Sequence, residues 1–76
     1  MFSYNIAANA DNAAFKNTCA QIEAKVSGLK KDKLIVDVDG SLIQTYHTNG
    51  GEITVYNDYL VDAVYVDSEI DLAKVI

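Results

Sequence analysis

The sequence predicts a single α+β domain over residues 1–76, in which one antiparallel sheet packs against one helix. Three observations predict this class. An alternating segment opens the chain, an alanine-rich segment follows with apolar residues at helical spacing, and the second half consists of apolar runs separated by Asp-Gly and Asn-Gly-Gly. The expected order is β-α-β-β-β, a meander with the helix on one face and a possible short C-terminal helix.

The first strand and the helix are predicted from side-chain periodicity. Residues 2–8 have apolar side chains at the even positions and mostly small or polar side chains at the odd positions, which is the alternation expected of a strand. Asn9 or Asp11 can cap the following helix, which we expect to extend to about Ser27. Its apolar face is formed by Phe15, Cys19, Ile22 and Val26. Cys19 is the only cysteine, and its place on this face predicts a small core residue rather than a nucleophile.

Turn chemistry predicts the next hairpin. Asp39-Gly40 lies between two apolar runs and suits a two-residue type I′ loop. That loop pairs Val38 with Ser41 and Val36 with Ile43. Val36 and Ile43 are therefore expected to share one face of the sheet.

The second turn predicts where the tyrosines lie. A three-residue loop at Asn49-Gly50-Gly51 places Ile53 and Val55 on the same face as Ile43. Tyr46 and Tyr56 then share the opposite face.

The last third of the chain predicts one more strand and a possible helix. The run from Tyr59 to Asp67 is rich in β-forming residues, and its turn falls at either Asn57-Asp58 or Asp62-Ala63. Ser68-Glu69-Ile70-Asp71 has the form of a capping box with Asp in the Glu position. This pattern predicts a short helix ending at Ile76.

One segment suggests catalysis. Leu34–Leu42, which contains Asp-Val-Asp-Gly-Ser-Leu, resembles the first motif of the haloacid-dehalogenase-type phosphatases. The resemblance implies a nucleophile at Asp37, a general acid at Asp39 and Mg²⁺ as cofactor. It covers nine residues, and the 34 residues after Leu42 read as strands rather than the βαβ units of that family's parallel sheet. We therefore expect a non-enzymatic hairpin, with Mg²⁺-dependent phosphatase chemistry as the alternative.

Other metal and cofactor sites are not expected. Aligning Gly40 with the invariant glycine of a calcium-binding EF-hand loop puts Ile35 and Tyr46 where that loop needs an Asp and a Glu. His47 is the only histidine, and no set of spaced ligands accompanies it.

Charge and tyrosine content predict an interaction surface. Residues 1–33 carry five lysines and three acidic residues, whereas residues 34–76 carry one lysine and eight acidic residues. The acidic half also holds four of the five tyrosines, and tyrosine suits contact surfaces because it buries a large ring while its hydroxyl stays hydrated. The candidate surface residues are Tyr46, Tyr56, Tyr59, Tyr65, Glu52, Asp58, Asp62 and Asp67.

These patterns predict a small acidic, non-catalytic interaction module. Its expected partner is a second copy of the chain or another protein, such as a basic, nucleic-acid-handling protein that it inhibits or regulates. The alternative outside catalysis is a structural subunit of a larger assembly. The net charge of −5 disfavours direct nucleic-acid binding. No membrane-spanning run or signal peptide is apparent, so the expected location is the cytoplasm.

Overall fold

A computed structural model describes all 76 residues and confirms the α+β class. One helix packs on one face of a six-stranded antiparallel sheet. The elements are β1 (Phe2–Ala7), α1 (Asn12–Lys25), β2 (Lys30–Lys31), β3 (Ile35–Val36), β4 (Leu42–Thr48), β5 (Gly51–Asp58) and β6 (Ala63–Ser68). The spatial order is β1-β6-β5-β4-β2, and β3 also pairs with β4.

The helix begins where the sequence predicts. Asp11 is the N-cap, and its carboxylate accepts hydrogen bonds from the backbone N–H groups of Ala13 and Ala14. A buried residue of the sheet fixes this end of the helix in space. The side-chain oxygen of Asn57 accepts from the Asp11 N–H at 2.9 Å, and its amide nitrogen donates to Asn12 at 2.7 Å.

The hydrophobic core lies between the helix and the face of the sheet that the helix covers. We call this the covered face. The helix contributes Phe15, Cys19 and Ile22, the sheet contributes Tyr46, Ile53, Val55, Val64 and Val66, and Leu72 closes one end. The opposite face of the sheet, the open face, has no element packed over it.

The predicted faces of the central strands are wrong because both turns differ from the predicted lengths by one residue. Residues 37–41 join β3 and β4, and a backbone hydrogen bond from the Asp37 N–H to the Ser41 carbonyl leaves three residues in the turn instead of two. Val36 therefore pairs with Leu42, and Ile35 pairs with Ile43. The Asp37 carbonyl accepts from the Gly40 N–H, and Gly40 has a φ of +87°, which only glycine adopts easily.

The β4–β5 loop has two residues instead of three, because Gly51 belongs to the strand. The Thr48 hydroxyl accepts from the N–H groups of Gly50 and Gly51, which closes the turn early. A side chain at Gly51 would bring its Cβ within 2.6 Å of the Glu69 Cβ, so this pairing requires glycine. A one-residue shift moves every side chain of a strand to the other face.

Tyr46 and Tyr56 therefore lie on opposite faces. Tyr46 pairs with Ile53 on the covered face, whereas Tyr56 pairs with Ile43 on the open face. The prediction that Ile53 and Val55 share a face with Ile43 is wrong for the same reason.

The last turn and the C-terminus also differ from expectation. The loop between β5 and β6 comprises residues 59–62, so neither of the two predicted turn positions is right. The predicted C-terminal helix is absent. Ser68 instead ends β6, and its hydroxyl donates to the carbonyl of Ile70 and accepts from the N–H of Ile70.

Candidate functional site

The open face carries an apolar stripe that crosses four strands. Backbone register places Ile35 beside Ile43, Ile43 beside Tyr56, and Tyr56 beside Tyr65. Since neighbouring strands lie about 4.8 Å apart, these four side chains form a row about 15 Å long. We call Ile35, Ile43, Tyr56 and Tyr65 the stripe.

The two tyrosines form the centre of the stripe. Their rings stack with centroids 4.7 Å apart and an interplanar angle of 16°. Both side chains are half-buried, since each covers part of the other. The arrangement presents a rigid aromatic platform toward solvent, at a low conformational cost for binding.

Carboxylates border the stripe. Asp58 accepts a hydrogen bond of 3.0 Å from the Tyr65 hydroxyl, and Asp67 accepts one of 2.9 Å from Ser3. Glu52 lies farther along β5 and is exposed. Glu52 and Asp67 line a shallow depression of about 270 Å³ together with Met1, Thr54, Tyr56 and Glu69.

The tyrosine hydroxyls remain protonated at neutral pH. Burial, the Asp58 hydrogen bond and nearby carboxylate charges raise the pKa of Tyr65 to about 12. Burial and the charge of Asp67 raise the pKa of Tyr56. The Tyr56 hydroxyl can therefore donate a hydrogen bond in a contact, whereas the single O–H of Tyr65 is already donated to Asp58.

A histidine and two acids lie at the β4 end of the same face. The Nε2 atom of His47 is 2.7 Å from an Asp32 carboxylate oxygen, and its Nδ1 atom is 3.9 Å from Glu52. Lys30 is the register partner of His47, so a lysine borders this corner of the face.

The structure brings together five of the predicted surface residues, namely Tyr56, Tyr65, Glu52, Asp58 and Asp67. It separates the other three from them. Tyr46 is fully buried on the covered face and donates a 2.5 Å hydrogen bond to Glu23.

Tyr59 and Asp62 lie in the loop of residues 59–62, at the start of the helix. The Tyr59 ring lies beside Gly40, and its hydroxyl is 3.5 Å from Asn12. The Asp62 carboxylate accepts hydrogen bonds from the Ala10 N–H and the Asn9 amide, and these bonds lower its pKa. Asp62 therefore holds the β1–α1 connection.

Ile35 and Ile43 are the members of the stripe that sequence reasoning missed. The signal that could have found them is the three-residue reading of the first hairpin, which puts both on one face with Tyr56.

Apolar residues at the tips of two neighbouring loops extend this end of the molecule. Val38 and Leu60 are almost fully exposed, and Leu60 lines a cleft with Ile43 and Tyr56.

The two aspartates of the phosphatase-like segment lie in the loop of the β3–β4 hairpin. One carboxylate oxygen of Asp37 accepts from the N–H of Val38, and one of Asp39 accepts from the N–H of Ser41. Hydrogen bonds from Ser41 lower the pKa of Asp39. The surrounding sheet is antiparallel, whereas the phosphatase family has a parallel sheet.

The chain contains no group of three or more His, Cys, Asp or Glu side chains placed to hold a metal ion. Its single helix is too short and too polar to cross a membrane. Comparison of the chain with protein-family models, curated proteins and solved structures found no match.

Proposed function

We propose that this protein is a non-catalytic interaction module that binds a basic protein surface through its open face. The observation that carries the proposal is the stripe, an uncovered row of two aliphatic and two stacked aromatic side chains bordered by carboxylates. Binding surfaces commonly combine an apolar, aromatic centre with a polar rim.

Charge supports the choice of a basic partner. Glu52, Asp58 and Asp67 border the stripe. Lys30, the register partner of His47, is the one lysine that a strand places on the open face, and it lies at the edge of the sheet. A partner arginine or lysine can lay its aliphatic stem on Tyr56 or Tyr65 and direct its charged end to these carboxylates. The same negative charge repels a nucleic-acid backbone.

Inhibition or regulation of a larger, basic protein fits this chemistry. A chain of 76 residues with a net charge of −5 is small enough to fill a groove that normally binds an acidic ligand. The proposal assigns recognition to the open face and predicts no chemical turnover.

A matched pair of variants tests the proposal. Ile35 and Val36 are neighbours in β3 with similar exposure, 55% and 64%, but Ile35 lies on the open face and Val36 on the other side. Ile35→Lys and Val36→Lys change the net charge equally. Each tagged variant and the wild type are used to capture proteins from the native lysate, and bound proteins are eluted with salt and quantified by mass spectrometry.

The proposal expects the wild type and Val36→Lys to recover the same protein. Ile35→Lys should recover at least about tenfold less, because it removes an apolar contact and places a cation toward a basic surface. Rising salt should release the protein, since salt screens exposed charges. Equal recovery by the two variants, or no specific protein in the wild-type eluate, contradicts the proposal.

A further inference from the structure

A cleft lies between two neighbouring loops at one end of the sheet. One loop, residues 37–41, joins β3 to β4, and the other, residues 59–62, joins β5 to β6. The Tyr59 N–H donates to the hydroxyl of the buried Ser41 at 2.9 Å, so the two loops are held together. The cleft is therefore formed before a partner binds, which lowers the conformational cost of filling it.

Apolar and acidic side chains line the cleft together. The lining includes three aspartates, Asp37, Asp39 and Asp58, and apolar residues such as Ile43, Tyr56 and Leu60. Ile43 and Tyr56 also belong to the stripe. The cleft is therefore continuous with the proposed interaction surface.

The negative charge of the cleft is not neutralised within the chain. No lysine or histidine lines it, and none of its three aspartates forms an ion pair. One carboxylate oxygen of Asp37 accepts from the Val38 N–H, and the other has no hydrogen-bond partner in the chain. Hydrogen bonds from Ser41 lower the pKa of Asp39, so this carboxylate is ionised at neutral pH. The lining therefore complements a cation.

The size of the cleft suits one long side chain. Its volume is about 170 Å³, below the roughly 300–1,000 Å³ of pockets that bind small ligands. The three aspartates do not form a group that could hold a metal ion. Arginine fits this lining better than a compact cation does. Its aliphatic stem packs on apolar and aromatic surface, and its planar guanidinium carries five N–H donors for carboxylates.

We propose that the cleft binds an arginine side chain of the basic partner. The stem of the arginine contacts Ile43 and Leu60, and its guanidinium donates to the aspartates. The arginine site rests on the proposed function and identifies the residue type that anchors the partner at this end of the stripe. Arginine is common among the few residues that dominate the binding energy of an interface.

A small probe tests the cleft without the partner. N-acetyl-arginine amide is titrated into the wild type, and the backbone amide chemical shifts are followed by NMR. We expect saturable changes centred on Ser41 and Leu60, with a dissociation constant on the order of 1 mM for a ligand of this size. N-acetyl-citrulline amide has nearly the same shape but no charge. It should bind about fivefold more weakly, because it loses the charge-assisted hydrogen bonds.

Asp37→Asn and Asp71→Asn form a matched pair of variants. Each removes one negative charge, and each keeps an oxygen that can accept the backbone N–H now bonded to the aspartate. Asp71 lies beside the β4–β5 turn, at the other end of β4 from the cleft. Asp37→Asn should raise the dissociation constant of the arginine probe about threefold, whereas Asp71→Asn should leave it unchanged.

Several results would overturn the arginine site. They are equal binding of the arginine and citrulline probes, equal affinities of the two variants, and shift changes that lie away from the cleft. Equal affinity for N-acetyl-lysine amide would overturn the choice of arginine.

The probe needs no partner, so its result can be separated from that of the lysate capture. If capture depends on Ile35 but the probe does not bind, the proposed function stands and the arginine site is wrong. Binding of the probe without any captured protein contradicts the proposed function alone.

Discussion

The covered face and the open face alternate along the same strands, so neighbours such as Val55 and Tyr56 have opposite environments. Val55 is fully buried under the helix, whereas Tyr56 stacks on Tyr65 with no element above it. The comparison shows that residue type alone does not assign a role. Tyr46 is as aromatic as Tyr56, yet it is a core residue that donates its hydroxyl to Glu23.

Two isoleucines on neighbouring strands should show the largest difference in stability between the two faces. Ile53 is fully buried on the covered face, and Ile43 is half-buried on the open face. Ile53→Ala should lower the free energy of unfolding by about 2–5 kcal/mol, because it removes core contacts and leaves a cavity. Ile43→Ala should cost less than about 1.5 kcal/mol, because solvent already reaches the site. Urea unfolding measures both, and equal losses would show that the open face is also part of a core.

Removal of a tyrosine hydroxyl should lower the free energy of unfolding by less than the Ile53→Ala substitution, and by different amounts on the two faces. Tyr46→Phe removes a buried donor and should cost about 1 kcal/mol at neutral pH. Tyr65→Phe, the matched variant on the open face, removes the bond to Asp58, which solvent can replace, and should cost less than about 0.5 kcal/mol. Thermal unfolding of the two variants at one pH compares them, and a larger cost for Tyr65→Phe would reverse the assignment.

The stability cost of Tyr46→Phe should depend on pH, because the Tyr46 hydroxyl donates to the titratable carboxylate of Glu23. The Tyr46 hydrogen bond, with help from Lys31, lowers the pKa of Glu23. A lowered pKa in the folded state stabilises the fold above the unfolded value of about 4.3, and this contribution is lost as the pH falls through the folded value. The stability difference between wild type and Tyr46→Phe should therefore narrow between pH 7 and pH 3. A difference that stays constant over this range would contradict the coupling.

Much of the fold could be predicted because it depends on local patterns. Alternation predicts β1, and the Asp11 cap and the apolar spacing of the helix predict α1. The faces of β4 and β5 could not be predicted, because they depend on whether each hairpin loop has two or three residues. That choice depends on local bonds that the sequence pattern does not reveal, such as those of the Thr48 hydroxyl, and on a contact distant in sequence, the approach of Glu69 to Gly51.

In the C-terminal segment, too, a local sequence pattern did not predict the structure. Ser68 has the local chemistry of a helix cap, but it pairs with Ile53 in the sheet, and the carboxylate of Glu69 accepts from the N–H of Glu52. Sheet pairing therefore overrides the capping pattern. For the candidate site, composition pointed to acidic and tyrosine residues, whereas the apolar half of the stripe became visible only with the correct register.

The proposed interaction surface depends on the placement of Tyr56 and Tyr65 on the open face and of Tyr46 under the helix. Nuclear Overhauser contacts in solution measure this placement. We expect contacts of the Tyr46 ring with Cys19 and Ile53, and contacts between the Tyr56 and Tyr65 rings without any to the helix. Contacts of the Tyr56 ring with α1 would contradict the register and remove the basis for the proposed interaction surface.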